Sequence, residues 1–200
     1  MVTILFVVGL VVVLAVSTGL AFRSRQEAAR DGQGLSRRFG PEYDRALARH
    51  QGDARAAVRE LRTRLKRYGA LAVLPLDRNT RERYLDQWAA VQEDFADAPQ
   101  RALSRAEDLL TRLAVERGYP ADVPFEERAA ALSVHHARRV HGYRRVHEAG
   151  RVAGGFSTEE MRAALVEGRA LFDSLLNARA SALTAPAPRR ATGTVRPRVS

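Results

Sequence analysis

The chain begins with an uninterrupted apolar segment, and this feature constrains its fold and its placement more than any other. Residues 2–22 contain no charged side chain. As an α-helix, about 21 residues extend about 31 Å, which matches the hydrocarbon core of a bilayer. The segment therefore predicts a single transmembrane helix, and the membrane is the first partner that we expect for this protein.

A cleaved signal peptide is the alternative interpretation of this segment. Signal peptides carry a basic region before a shorter apolar core of about 7–15 residues and a small-x-small cleavage site. Here no Lys or Arg precedes the apolar segment, although Gly19 and Ala21 form a small-x-small pair. Length and flanks favour an uncleaved anchor. Cleavage would instead leave an exported domain in the cell envelope.

Arginine follows the apolar segment but does not precede it. Arg23 and Arg25 come directly after it, with three more arginines by residue 38. Under the positive-inside rule, this asymmetry predicts a single-pass protein whose domain lies in the cytoplasm. An extracytoplasmic domain is the alternative, because a single span offers only one such asymmetry.

The formal charge of +10 is carried mainly by two flanks, with +3 in residues 23–38 and +5 in residues 178–200. Residues 39–177 are nearly neutral, whereas a nucleic-acid-binding domain needs a basic face of its own. We therefore do not expect a nucleic-acid partner. Arginines next to an anchor are typical of contacts with anionic lipid headgroups. The predicted headgroup contacts are Arg23, Arg25, Arg37, Arg38, Arg189 and Arg190.

Helical patterning runs through residues 39–177, where apolar residues recur every three or four positions. Residues 84–95 carry the most aromatic of these stripes, which we interpret as core. Helices are expected at about 125–132 and 134–149, among others. Predicted helix starts, marked by a capping side chain or by a first-turn proline, are Pro41, Asp53, Asn79, Asp97 and Ser157.

These patterns predict an all-α protein in four segments. They are a transmembrane anchor at residues 1–22, a basic juxtamembrane linker at 23–38, a helical domain at 39–177 and a disordered basic tail at 178–200. The domain is expected to be an irregular bundle of about five or six helices. The tail is predicted to be disordered because it has several prolines and very few large apolar residues.

No pattern in the chain indicates catalysis, a cofactor or a metal. Cysteine is absent. The four histidines between residues 135 and 147 are not spaced three or four apart, as zinc ligands on one helix are. Nucleotide-binding glycine motifs and nucleophile motifs do not occur either. We therefore expect a protein that is not an enzyme and that holds no cofactor or metal.

Residues 133–148 are the densest in side chains of functional type, and Tyr143, Arg144 and His147 fall within about one helical turn. One interpretation is a packing helix that buries Val134, Val140 and Tyr143 and leaves its arginines in solvent. The other is an Arg/His face that recognises an acidic partner or a phosphate. On that second interpretation, Tyr143, Arg144 and His147 are the candidate partner-binding residues.

Several short motifs carry a resemblance to a known kind of protein. They include FGPEYDR at residues 39–45, RGYP at 117–120 and Tyr143-Arg144 with His147. Over about residues 39–177 the chain resembles a family of uncharacterised proteins of high-GC bacteria that have an N-terminal membrane segment and a helical domain. The resemblance implies that architecture and no activity. The family is expected to read Val-Asp-His-Pro where this chain has VHHA at residues 134–137.

Taken together, these features predict a non-enzymatic, membrane-anchored interaction or structural module with an unidentified protein partner. Two alternatives remain. One is an exported cell-envelope domain with a cleaved signal. The other is a protein that binds a small ligand or an acidic partner through the Arg/His face.

Overall fold

The computed structural model describes residues 32–152 and 154–178, and this part of the chain folds into helices and their connections. The all-α prediction is confirmed. The eight helices of the described residues are α1 (32–39), α2 (Pro41–Arg49), α3 (Ala54–Tyr68), α4 (Arg78–Asp97), α5 (Pro99–Glu116), α6 (Phe125–His136), α7 (Val140–Arg151) and α8 (Thr158–Asn177).

The predicted anchor at residues 1–22 and nearly all of the predicted tail lie outside the described residues. Within the described ranges, no helix combines the length and apolar character needed to cross a bilayer. The predicted membrane span is therefore not tested by these helices.

The first helix of the bundle lies inside the segment that was predicted to be a linker. Residues 32–39 are helical, and α1 contributes Leu35 and Phe39 to the hydrophobic core. Phe39 is fully buried. The packed domain thus starts earlier than residue 39, because these two apolar side chains, four positions apart, lie on one face of a helical turn.

Two breaks raise the number of helices above the five or six expected. Gly40 follows α1, and Gly52 lies in the turn between α2 and α3; their φ angles of +49° and +88° fall in a backbone region that favours glycine. Asp53 then caps α3, since its Oδ1 accepts hydrogen bonds from the backbone N–H groups of Arg55 at 2.9 Å and Ala56 at 3.1 Å. The predicted cap at Asp53 is confirmed.

The capping box at the start of α8 is also confirmed, because Ser157 Oγ accepts from the Glu160 N–H at 3.2 Å and the Glu160 carboxylate accepts from the Ser157 N–H at 2.7 Å. The predicted caps at Asn79 and Asp97 are wrong. Asp77 caps α4 by accepting from the Thr80 N–H at 2.8 Å, which leaves Asn79 inside the first turn. Helix α4 continues through Asp97, and the cap position of α5 falls on an alanine.

The boundary between α6 and α7 lies later than predicted. Helix α6 continues through His136, and α7 starts at Val140 after a three-residue turn. The predicted boundary near residue 133 is therefore wrong. The shift carries His135 to the end of α6 and places Arg138 and Arg139 in the turn.

The core is centred on Trp88 of α4, whose ring lies 4.6 Å from that of Phe172 of α8. Helices α7 and α8 approach each other closely at Gly142 and Gly168. A Cβ atom at Gly142 would lie only 2.2 Å from the backbone oxygen of Glu167. This close crossing fixes α7 against the core and determines which of its side chains point inward.

Candidate functional site: a buried ion network and a basic surface

Arg144 is buried, contrary to both interpretations of the Arg/His segment. Its exposed fraction is 1%. Its Nε donates to Glu42 Oε1 at 3.1 Å, and its Nη1 donates to Glu126 Oε2 at 2.6 Å. A guanidinium that is enclosed and paired in this way cannot face an acidic partner. The assignment of Arg144 as a partner-binding residue is therefore corrected.

Glu42 lies between two arginines that come from different helices. In addition to Arg144, it accepts a hydrogen bond from Arg64 Nη1 of α3 at 3.1 Å. Arg64 also donates to Ser133 Oγ of α6 at 3.2 Å and to the carboxylate of Glu60. The network of Glu42, Glu60, Arg64, Glu126 and Arg144 thus joins α2, α3, α6 and α7.

The electrostatics of this buried ion network follow from its pairing. Burial disfavours the charge of Arg144, but Glu42 and then Glu126 outweigh that effect and raise the pKa of the guanidinium above its usual value. Burial likewise opposes the charge of Glu126, yet the hydrogen bond from Arg144 lowers the pKa of this carboxyl. The pairing of Arg144 with Glu42 and Glu126 thus stabilises the charged form of each group whose pKa is shifted, while Glu126 stays largely exposed at the edge of the network.

Tyr143 and His147 have partners of their own. The Tyr143 hydroxyl lies 2.6 Å from Thr111 Oγ1, and its ring packs 4.7 Å from that of Phe125. His147 stacks on the same Phe125 ring, with the two ring centroids 3.6 Å apart, and its Nδ1 lies 2.7 Å from Glu107 Oε1. Phe125 brings Tyr143 and His147 near each other, but Arg144 turns away into the ion network.

A shallow groove of about 430 Å³ lies beside the ion network, between α3 and α6. Its charged lining is already paired. Arg67 lies 2.5 Å from Glu127, and Arg49 lies 2.5 Å from Glu60. Positive and negative groups alternate here, so the groove favours neither an anion nor a cation.

Another buried arginine, Arg117, bonds to main-chain oxygens rather than to a carboxylate. It follows α5 and is 1% exposed. Its two terminal nitrogens donate to the carbonyls of Leu74 and Ala178. Burial, and then the nearby charge of Arg81, lower its pKa. Arg117 therefore holds the connector between α3 and α4 against the end of α8.

The histidines do not form a metal site within residues 32–152 and 154–178, where no group of three potential ligands comes together. His136 is mostly buried, and its Nδ1 lies 2.8 Å from Ser174 Oγ. Burial, followed by the positive charges of His135, Arg139 and Arg117, lowers the pKa of His136 to about 4. At neutral pH this imidazole is uncharged and serves as a packing group.

The exposed arginines of the described chain include a group at the junction of α1 with the α6–α7 turn. Arg37 and Arg38 are exposed on α1, and Arg138 and Arg139 are exposed in the turn. Of the six predicted headgroup contacts, only Arg37 and Arg38 lie in the described part of the chain. Arg23, Arg25, Arg189 and Arg190 fall outside it.

Neither Glu42 nor Arg64 was identified from the sequence as part of a site. Glu42 follows Pro41 and looks like an ordinary acidic residue in a first helical turn, and its partner Arg144 is 102 positions away. No family model, no curated protein and no solved structure matches this chain. The resemblance drawn from the sequence motifs therefore stays a prediction.

Proposed function

We propose that this protein is a single-pass, membrane-tethered helical module that acts through interactions at the membrane surface rather than through catalysis. The observation that carries the proposal is the uncharged segment at residues 2–22, which is followed nine residues later by a helix that packs into the core. An anchor joined so closely to a packed bundle holds that bundle at the membrane.

The pairing inside the bundle supports a structural use of its charged groups. Glu42, Arg64 and Arg144 are each less than a tenth exposed, and their polar atoms bond to one another. A general acid or base has to reach a substrate proton, whereas these groups hold α2, α3 and α7 together. What remains for contact with partners is the outer surface, and we place the domain on the cytoplasmic side because arginine follows the anchor.

Membrane fractionation with protease accessibility tests the proposal. The full chain should stay with membranes after alkaline extraction, and a protease added to sealed cells should not reach the bundle. Val12→Arg places a charge at the centre of the apolar segment, at about 2.5–3.5 kcal/mol against insertion, and should release part of the protein. Val12→Leu is the matched control and should behave as the native chain does.

Three outcomes would overturn this proposal in whole or in part. A soluble protein whose N-terminus begins near Phe22 would establish a cleaved signal and an exported domain. An intact chain that alkaline extraction removes completely would exclude the anchor. If the bundle stays with the membrane but is digested in sealed cells, the anchor is supported and the domain lies outside the cytoplasm.

A further inference from the structure

The end of the bundle nearest the predicted anchor carries a basic surface made by two distant parts of the sequence. We define the basic end as Arg37 and Arg38 of α1 together with Arg138 and Arg139 in the α6–α7 turn. All four side chains are exposed. About one hundred positions separate the two groups in the sequence, so only the fold brings them together.

Two observations establish that these groups are neighbours. A Cβ atom built at Gly40, which ends α1, would lie 4.0 Å from Arg138 Cγ. Burial lowers the pKa of His135, and the next contribution is the positive charge of Arg38. Because α1 packs its apolar face into the core through Leu35 and Phe39, its exposed arginines are held beside the turn in a fixed position.

The two stretches that form the basic end contain no acidic residue, and Asp31, which precedes α1, lies outside the described residues. No acidic residue occurs at positions 32–41, and none occurs between Glu127 and Glu148. Within the described residues, Arg37, Arg38, Arg138 and Arg139 form no ion pair, whereas some exposed arginines elsewhere do, such as Arg105 with Asp94 and Arg67 with Glu127. No carboxylate of the described residues therefore competes with an outside anion for these four guanidinium groups.

The location of the basic end indicates which anion it meets. Nine residues, 23–31, separate α1 from the apolar segment, and they reach at most about 30 Å when fully extended. The bundle is therefore restrained close to the leaflet from which the anchor emerges, and α1 is its first element. Guanidinium groups bind phosphate oxygens through paired hydrogen bonds.

We propose that the basic end docks on the phosphate groups of anionic lipids in the membrane that holds the anchor. This inference rests on the proposed function and adds an orientation to it, with α1 and the α6–α7 turn facing the leaflet. Each arginine near an anionic leaflet shifts the equilibrium towards the docked bundle roughly fivefold. Four arginines together should shift it on the order of several hundredfold at low salt.

A probe on α1 of the full-length protein can measure this docking. The chain contains no cysteine, so Gln33→Cys on the exposed side of α1 provides a single site for a fluorophore. The protein is reconstituted into vesicles of phosphatidylcholine, or of phosphatidylcholine with about 30% phosphatidylglycerol, with a quencher on the headgroups. Quenching should be several-fold stronger in the anionic vesicles than in the neutral ones. This additional quenching should disappear at about 0.5 M NaCl, because salt screens the electrostatic attraction.

Charge-matched variants separate docking by the basic end from a general effect of net charge. The test variant is R37Q/R38Q/R138Q/R139Q. The control variant removes the same number of exposed arginines from other parts of the bundle and is R55Q/R78Q/R101Q/R151Q. The test variant should lose the additional quenching, and the control variant should keep it. Replacing the four arginines of the test variant by lysine should retain most of the additional quenching. This lysine variant controls for a loss of folding.

The proposal is overturned if the test variant is quenched as strongly as the native chain, or if both glutamine variants lose the effect equally. It is also overturned if quenching is equal in both bilayers while a single-stranded RNA binds in a salt-sensitive way, since the surface would then serve nucleic acid. Alkaline extraction of the same vesicles tests the anchor separately. If extraction removes the chain, the anchor is excluded and the basic end is tested separately by flotation. Flotation with anionic but not with neutral vesicles would support lipid binding by the basic end, and equal flotation with both would contradict it.

Discussion

Replacing Glu42 by glutamine should destabilise the bundle far more than a single substitution in one helix usually does. Glu42 is 2% exposed and accepts hydrogen bonds from Arg64 at 3.1 Å and from Arg144 at 3.1 and 3.3 Å. Glutamine has nearly the same shape, but it removes the negative charge and turns one acceptor into a donor that faces a guanidinium. Two buried positive groups then share a neutral neighbour.

The size of the effect follows from the partners that remain. Removing one member of a buried ion pair costs about 3–5 kcal/mol. Arg64 keeps Glu60, and Arg144 keeps Glu126, so we expect the lower end of that range. For a domain of this size, each kcal/mol lowers the melting temperature by about 2–4 °C. A loss of about 3 kcal/mol thus lowers it by about 6–12 °C.

The measurement is the thermal unfolding of the full chain in mild detergent, followed by circular dichroism. Glu148→Gln is the matched control, because Glu148 pairs with Arg45 at 3.8 Å on the surface, and such pairs contribute less than about 1 kcal/mol. The double substitution Glu42→Leu with Arg144→Met should lower the melting temperature less than Glu42→Gln does. It removes the buried guanidinium together with its carboxylate, and Glu126, which loses Arg144, is largely exposed and stays hydrated. Equal melting temperatures for Glu42→Gln and Glu148→Gln would refute the reasoning.

Three further substitutions test other parts of the fold. The folded state keeps His136 neutral down to a pKa of about 4, whereas the unfolded chain takes up a proton below about 6.5. Stability should therefore fall by up to about 3 kcal/mol as the pH drops through this window, and His136→Gln should flatten that slope in melting curves. Gly142→Ala forces α7 and α8 apart and should cost about 1–3 kcal/mol in urea unfolding. Asp77→Ala removes the cap of α4 and should cost about 0.5–2 kcal/mol in the same assay.

Each of these substitutions has a control in the same chain. His141 is half exposed, so His141→Gln is the control that removes an imidazole from the surface rather than from the core. A Cβ atom at Gly34 in α1 meets nothing within 4 Å, and Gly34→Ala should stabilise the helix by up to about 1 kcal/mol. Asn79→Ala should change stability by less than about 0.5 kcal/mol. A test variant that behaves like its control would contradict the corresponding argument.

Features that depend on neighbouring residues were predictable from the sequence. The Ser157–Glu160 capping box and the Asp53 cap involve side chains and N–H groups within three positions, so a short motif specifies them. In the predicted stripe of α4, Tyr84, Trp88, Val91 and Phe95 are buried because their spacing places them on one face, whereas Leu85, which was also expected to point inward, is exposed. Local periodicity was sufficient for the helical class of the fold and for much of its core.

The candidate site depends on distant residues and was predictable only in part. Arg144 has the same local signature as a solvated arginine, and only its contact with Glu42, 102 positions away, reveals that it is buried. The arginines of the basic end were likewise predictable only in part. Arg37 and Arg38 were proposed as headgroup contacts because they follow the anchor, whereas Arg138 and Arg139 join them only through the packing of α1 against the α6–α7 turn.

The burial of Leu35 and Phe39 in α1 has a mechanical consequence. A pull on the chain ahead of residue 32 is transmitted along α1 directly to these two core side chains. Gly40, with its φ of +49°, separates α1 from α2, so the load would peel α1 away before it reached Glu42. Helix α1 is thus the first packed element of the described chain that such a pull would reach.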